Sequence, residues 1–472
     1  MESKRKHEDE DQEQISPKKV LVSEDKLLSF FRWCRETNLR VSSKVLVTKS
    51  GSSANYGMVA TEDIPEGKCL FEIPRSLLLS PQTCAIAQLL ESESSSIESQ
   101  SGWVPLLLAL MYEYTNPQSK WKPYLELVPE FEELHLPMFW ERSEMEQELR
   151  GTGVIKNVDR DLEFIEKEFS GIVLPFVKKH EDVFPALCQD FEFYKKMVAF
   201  VMAYSFTEPV KSNENGNEDE ENGNDEDEDE DAEKKSPPMM VPMADILNHV
   251  AKNNAHLSFD KDCLRMVSTK PIREGEEVFN TYGQLANWQL LHMYGFAEPY
   301  PNNNYDTVDL PLQILYDVAK QGKDEEDLQL LTEKWQVLQD MSVVVDDAAI
   351  ILGTSGILTE EEAYQTLKVL CMNKEEFAAL KENIGWMEVD DDISLKNSDI
   401  SKLPKEWLEI LARAAKEVLK LYHSSMKEDE LLLKLENFEN LTPRQQYSLY
   451  VRYGQRKLLQ NLLNLCSQQP VN

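Results

Sequence analysis

Met243-Ala244-Asp245-Ile246-Leu247-Asn248-His249 is the stretch whose reading decides the fold. An apolar run ends there in an Asn-His pair, which can cap a helix, ligate a metal or sit in a satisfied buried network. A metal is poorly supported, because no Cys or His sits at a ligand spacing with His249 and His256 alone cannot complete a site. A nucleophile–base pair would need a Ser or Cys elbow, and none is close. Two remote stretches share this density of polar and aromatic residues. Upstream lies Ala54-Asn55-Tyr56-Gly57-Met58-Val59-Ala60, where glycine permits a turn and a close approach of backbone to a ligand. Downstream lies Gly275-Glu276-Glu277-Val278-Phe279-Asn280-Thr281-Tyr282-Gly283, then Trp288 and His292-Met293-Tyr294-Gly295-Phe296. That order puts the Tyr282 phenol at a strand end. Singly, each stretch is also compatible with ordinary packing.

Around these stretches the hydrophobic period changes three times. Lys44 to Thr48 and Cys69 to Ile73 read as strands, punctuated by Gly51, Gly57, Pro65-Glu66-Gly67 and Pro74. From about 83 to 205 the period is helical, with helices expected over Val104–Tyr112, Glu148–Phe164 and Tyr194–Tyr204. Strand patterns return at Leu257–Phe259, Cys263–Ser268 and Glu277–Tyr282. Beyond Tyr300 the pattern is mainly helical. Thr359-Glu360-Glu361-Glu362 has the form of a capping box, Ser401–His423 carries a leucine stripe, and Thr442-Pro443 opens a last helix. The expected order is β, helical insert, β, then a separate helical domain.

The chain has 472 residues, of which 41% are apolar, enough for more than one core. Its 50 Lys+Arg against 85 Asp+Glu leave a net charge of −35. Such a field repels nucleic acid and anionic lipid and favours cationic partners, so neither a nucleic-acid nor a membrane ligand is expected. Seven dispersed cysteines with no C-x-x-C pair read as reduced thiols and not as a zinc cluster. No apolar signal segment or 18-residue apolar run is present, which points to a soluble intracellular protein. Residues 1–25 read as a disordered tail holding Lys4-Arg5-Lys6 and Lys18-Lys19, spaced like a bipartite nuclear-import signal. Residues 211–235 form an acidic run expected to be a mobile loop inside a folded domain.

Taken together, the glycine turn, the Asp-x-x-Asn-His and the Gly-Glu-Glu-x-x-x-x-Tyr-Gly resemble the SET-domain lysine methyltransferases. With no cysteine-rich segment after Tyr294 and a helical domain in its place, the chain looks like the Rubisco large-subunit methyltransferase branch. The resemblance spans about residues 28 to 465. It departs at the family's Gly-x-Gly turn, which here reads Asn55-Tyr56-Gly57. The fold it implies is α+β. A SET-domain β fold with a pseudoknot spans 26–298, interrupted by the helical insert, and an all-α substrate-binding domain spans 305–472.

The resemblance also implies an activity: transfer of methyl from S-adenosylmethionine to a lysine amine. It makes Tyr282 the catalytic phenol and assigns the cofactor to Asn55, Tyr56, Gly57, Tyr204, Asn248, His249 and Tyr294. Trp103, Tyr204, Thr207 and Tyr282 fall on the substrate side, no metal is implied, and Asp245 braces the Asn-His turn. A protein substrate with basic, lysine-containing segments is implied, specifically one methyl on an NF-kappa-B subunit and a histone variant. The nucleus is the expected location, with the cytoplasm also possible. Two other readings stand beside it: a histidine-directed SET enzyme, and a silent scaffold that binds basic tails.

Overall fold

A computed structural model describes residues 17–53, 55–128, 131–209, 236–382 and 394–468. The acidic run at 211–235 and the first basic cluster lie outside the described residues. The tail expected over 1–25 is helical from Pro17 onward. Helix α1 (Pro17–Glu36) opens on a proline, which suits a first helical position, and is anchored by buried Phe30, Trp33 and Cys34.

Two small antiparallel sheets frame the first half. One has the order β1-β4-β8-β7, built from β1 (Arg40–Val41), β4 (Cys69–Pro74), β8 (Cys263–Ser268) and β7 (Ala255–Phe259). The other has the order β2-β3-β9, from β2 (Val45–Thr48), β3 (Gly57–Ala60) and β9 (Glu277–Val278). Met58 pairs with Val278, so the first glycine stretch and the Tyr282 stretch share a sheet. The strand expected over Glu277–Tyr282 stops at Val278. Beyond it a single parallel bridge joins His249 to Asn280, and the Asn280 amide donates to the Asn248 carbonyl at 3.0 Å. The two segments that the family resemblance threads together thus lie side by side. A two-stranded pair, β5 (Ser205–Phe206) with β6 (Met239–Met240), closes the ends of the segment that holds the acidic run.

The insert is helical, with α2 (Val104–Thr115), α3 (Arg142–Glu148), α4 (Val154–Glu168) and α5 (Phe191–Tyr204). The helix expected over Glu148–Phe164 is in fact two, because Gly151 (φ 90) and Gly153 (φ 83) hold left-handed backbone between them. After the second sheet, α6 (Asn287–Tyr294) carries Tyr294 at its end and stops at Gly295, φ 78. A side chain at Gly295 would strike the carbonyl of Leu134, so only glycine lets these two segments meet.

The C-terminal lobe is helical as expected, with one addition. An antiparallel ribbon, β10 (Thr307–Pro311) with β11 (Ala349–Gly353), buries Val308, Leu310, Ile350 and Leu352. Thr359 precedes α7 (Glu360–Cys371) but makes no capping box, because its hydroxyl instead accepts the Ile351 amide at 3.0 Å. Pro404 delays α8 to Lys405–Leu419, shorter than Ser401–His423. Thr442 does cap α9 (Pro443–Ser467), with Gln445 completing the reciprocal box. Helix α9 belongs to both cores: Val451 packs into the first, and Leu458, Leu459 and Leu462 into the second.

Candidate active site

Where the two glycine-turn segments, the Asn-His pair and α6 converge, they enclose a cavity of about 710 Å³. Of the residues singled out above, it gathers Asn55, Tyr56, Tyr204, Asn248, His249, Tyr282 and Tyr294. Gly57 does not line it, and is packed instead against Glu277 and Asn248. A Cβ there would stand 2.4 Å from Glu277 Oε1 and 2.9 Å from Asn248 Nδ2, so the turn closes only without a side chain. Trp103 and Thr207 are not brought in. Trp103 precedes α2 and packs half-buried on the first core, and Thr207 is exposed just past β5.

The phenol of Tyr282 is placed from three sides. Its backbone amide donates to His249 Nδ1 at 2.9 Å, and its hydroxyl donates to the Leu247 carbonyl at 2.9 Å. Its ring stacks on Tyr294 at 4.7 Å between centroids, with Phe296 edge-on at 6.2 Å. Burial raises the Tyr282 hydroxyl well above the usual phenol range, and the nearby Tyr204, Tyr294 and Asp245 push the same way. The phenol is therefore neutral at physiological pH. Tyr204, at the end of α5, is likewise raised by burial and then by Asp245.

Glu277 ties the remote turns together. Its Oε2 accepts the Ser53 amide and its Oε1 the Asn248 side-chain amide, both at 2.7 Å, while Asn248 Nδ2 also reaches the Tyr56 carbonyl at 3.4 Å. His249 is buried, with Nε2 3.5 Å from Glu298 Oε1. The floor of the cavity holds a second pair, in which the Tyr124 hydroxyl donates to Asp245 Oδ2 at 2.5 Å.

Sequence reading gave no role to Glu277, Glu298, Tyr124 or the α9 residues Tyr447 and Tyr450, which also line the cavity or tie it together. Tyr124 and α9 have no motif, and only the folded chain brings them here. Among the described residues no group of three His, Cys, Asp or Glu is placed to hold a metal.

Comparison with known proteins gives this geometry a class. Residues 55–283 match the SET domain family and residues 325–459 the Rubisco LSMT substrate-binding family. N-lysine methyltransferase setd6 of Salmo salar is 47% identical over 448 residues, covering 93% of this chain and 96% of that protein. N-lysine methyltransferase SETD6 of Homo sapiens is 42% identical, covering 94% and 96%. The crystal structure of the SET domain of LSMT bound to lysine and AdoHcy superposes with a TM-score of 0.64 at 19% identity, over 94% of this chain and 91% of that one. The chain belongs to the SETD6 family of N-lysine methyltransferases. It is a SET-domain enzyme that methylates protein lysine, and enzymes of this class use S-adenosylmethionine.

Proposed function

We propose that this enzyme adds one methyl group to lysines of nuclear proteins, an NF-kappa-B subunit and a histone variant among them. The observation that carries the site assignment is the single cavity shared by Asn248, His249, Tyr282 and Tyr294. The residues present fit S-adenosylmethionine: the Tyr282–Tyr294 stack on the cavity wall suits a flat base and a sulfonium cation. In this reading Asn55, Tyr56, Gly57, Asn248, His249, Tyr204 and Tyr294 hold the cofactor. When bound, it supplies an electrophilic methyl group on sulfur.

What the chain itself contributes is orientation and exclusion of water. Lysine enters with a reference pKa of about 10.4, and burial among rings disfavours its ammonium. The Tyr282 oxygen, its proton committed to Leu247, is left with lone pairs that orient C–H and N–H groups. Alignment of donor and acceptor then supplies most of the acceleration. A net charge of −35 favours capture of basic segments, and Tyr204 and Tyr282 both line the site, where a narrow channel between them would admit a single methyl. Trp103 and Thr207 lie outside the cavity, so the assignment of target lysine to Tyr204 and Tyr282 carries the substrate side.

The test is mass spectrometry of an NF-kappa-B subunit, a histone variant and actin after incubation with enzyme and S-adenosylmethionine. Monomethyl-lysine on the first two is expected. Methyl-histidine, or higher methylation of lysine, would overturn the reading.

A further inference from the structure

Asp245 has one carboxylate oxygen engaged and one left over. Oδ2 accepts the Tyr124 hydroxyl, whereas Oδ1 is buried and meets no donor in hydrogen-bond geometry, the amides of Asp245 and Met243 pulling on the carboxylate without reaching Oδ1 in that geometry. The residue lines the same cavity as Tyr204 and Tyr282. Two residues upstream, Met243 is held at φ 82, a conformation that costs a non-glycine residue free energy and persists only where its surroundings impose it. A residue that merely braces the Asn248 turn needs no second oxygen left unpaired beside a cavity, and a buried acceptor without a donor is costly. A cation entering the cavity would supply the missing donor.

We propose that Asp245 is a further catalytic residue, whose Oδ1 receives the target lysine's ε-ammonium and takes the proton that must leave before methyl transfer. The proposal rests on the lysine-methyltransferase reading of this site. The step balances simply: an N–H bond of the ammonium breaks, an O–H bond forms at Oδ1, and the electron pair stays on nitrogen. Nothing is oxidised or reduced. The neutral amine is then the nucleophile, and Asp245 returns its proton to solvent once the methylated product has left.

The surroundings suit a base. Burial raises the Asp245 carboxyl to about 7, against the opposing pull of the Tyr124 hydroxyl and the amides of Asp245 and Met243. A general base is most effective when it titrates near the working pH. The groups facing it are the phenols of Tyr124, Tyr204 and Tyr282, all raised by burial and so neutral, with His249 and Glu298 elsewhere on the wall. None of the three phenols competes for the proton. An arriving ammonium favours the ionised carboxylate, so the pair forms before the proton moves.

The experiment uses the full chain as Asp245→Asn and Tyr124→Phe. Turnover of a lysine peptide is followed from about pH 6 to about pH 10, bracketing both groups. Calorimetry measures S-adenosylmethionine and compares a lysine peptide with its norleucine counterpart. For Asp245→Asn, kcat at pH 7 is expected to fall roughly 10²-fold and to recover as pH rises toward lysine's own pKa. Cofactor affinity is expected to stay within about twofold, while the preference for lysine over norleucine shrinks. For Tyr124→Phe, loss of the hydroxyl destabilises the carboxylate, so the acid limb of the rate profile moves to higher pH.

Unchanged kcat in Asp245→Asn, or equal loss of cofactor and of both peptides, would overturn the proposal in favour of a brace. Should Asp245→Asn fail to fold, the Tyr124→Phe acid limb decides, and an unmoved limb refutes the role. If the parent enzyme methylates no lysine, the underlying reading fails instead, and the peptide comparison still judges Asp245.

Discussion

Removing the hydroxyl of Tyr282 takes away one donor and, with it, the oxygen lone pairs that orient the reacting groups. Tyr282→Phe leaves the ring stacked on Tyr294 but strands the Leu247 carbonyl, a loss of roughly 1–3 kcal/mol in local order. Methyl transfer is expected to fall by at least about tenfold while calorimetry still finds cofactor binding. Glu277→Ala should behave in the opposite way. Both turns lose their common acceptor, so cofactor affinity is expected to drop about tenfold or more, measured by the same titration, with less effect on the bound-state rate. Tyr282, Asn248 and His249 were legible in the sequence because their spacing forms a motif. Glu277 sat inside that motif, yet only the folded chain shows it reaching back to Ser53. Tyr124 had no sequence signal, since it meets Asp245 across 121 positions of chain.

Among the elements, turns decide more than strands. At Gly57, alanine would drive a methyl group into Glu277 and Asn248, so Gly57→Ala is expected to weaken cofactor binding more than it lowers the unfolding midpoint. Gly151 poses a different problem: its φ is 90, and an added Cβ would lie 2.8 Å from the Tyr422 amide of the other lobe. Gly151→Ala should therefore cost about 1–3 kcal/mol in urea unfolding, from strained backbone plus that collision. Where periodicity named a helix or a strand, the structure has one there, but several helices of both halves went unnamed. Periodicity ran two helices together across Gly151 and Gly153, because the apolar stripe continues through a left-handed break. It also missed the β10–β11 ribbon, whose pairing joins residues about forty positions apart and leaves no local hairpin signal. Thr359 shows the same limit, since its hydroxyl went to a strand amide and not to its own helix.

For the molecule as a whole, a buried charge cluster links α9 to helix α3 of the insert. Asp429 accepts from Arg452 Nε at 2.8 Å and from Arg456 Nη1 at 2.5 Å, and Arg452 also reaches Glu148 of α3 at 3.4 Å. Asp429→Ala would leave two guanidinium groups buried without their shared partner, a loss of roughly 3–5 kcal/mol read as a lower urea midpoint. The overall charge acts at longer range. With a net charge of −35, kcat/KM for a strongly basic peptide is expected to decline as ionic strength rises, and that for a neutral lysine peptide to change little. Helix α9 has the widest consequence. It supplies Val451 to the first core, Tyr447 and Tyr450 to the cavity wall, and leucines to the second core. During synthesis the SET-domain portion emerges long before this helix, so a nascent chain cannot seal its own methyl-transfer chamber. Competence arrives only when the ribosome has released residues 443–467, and any transcript truncated before them should yield a protein that exposes apolar surface and turns over no substrate.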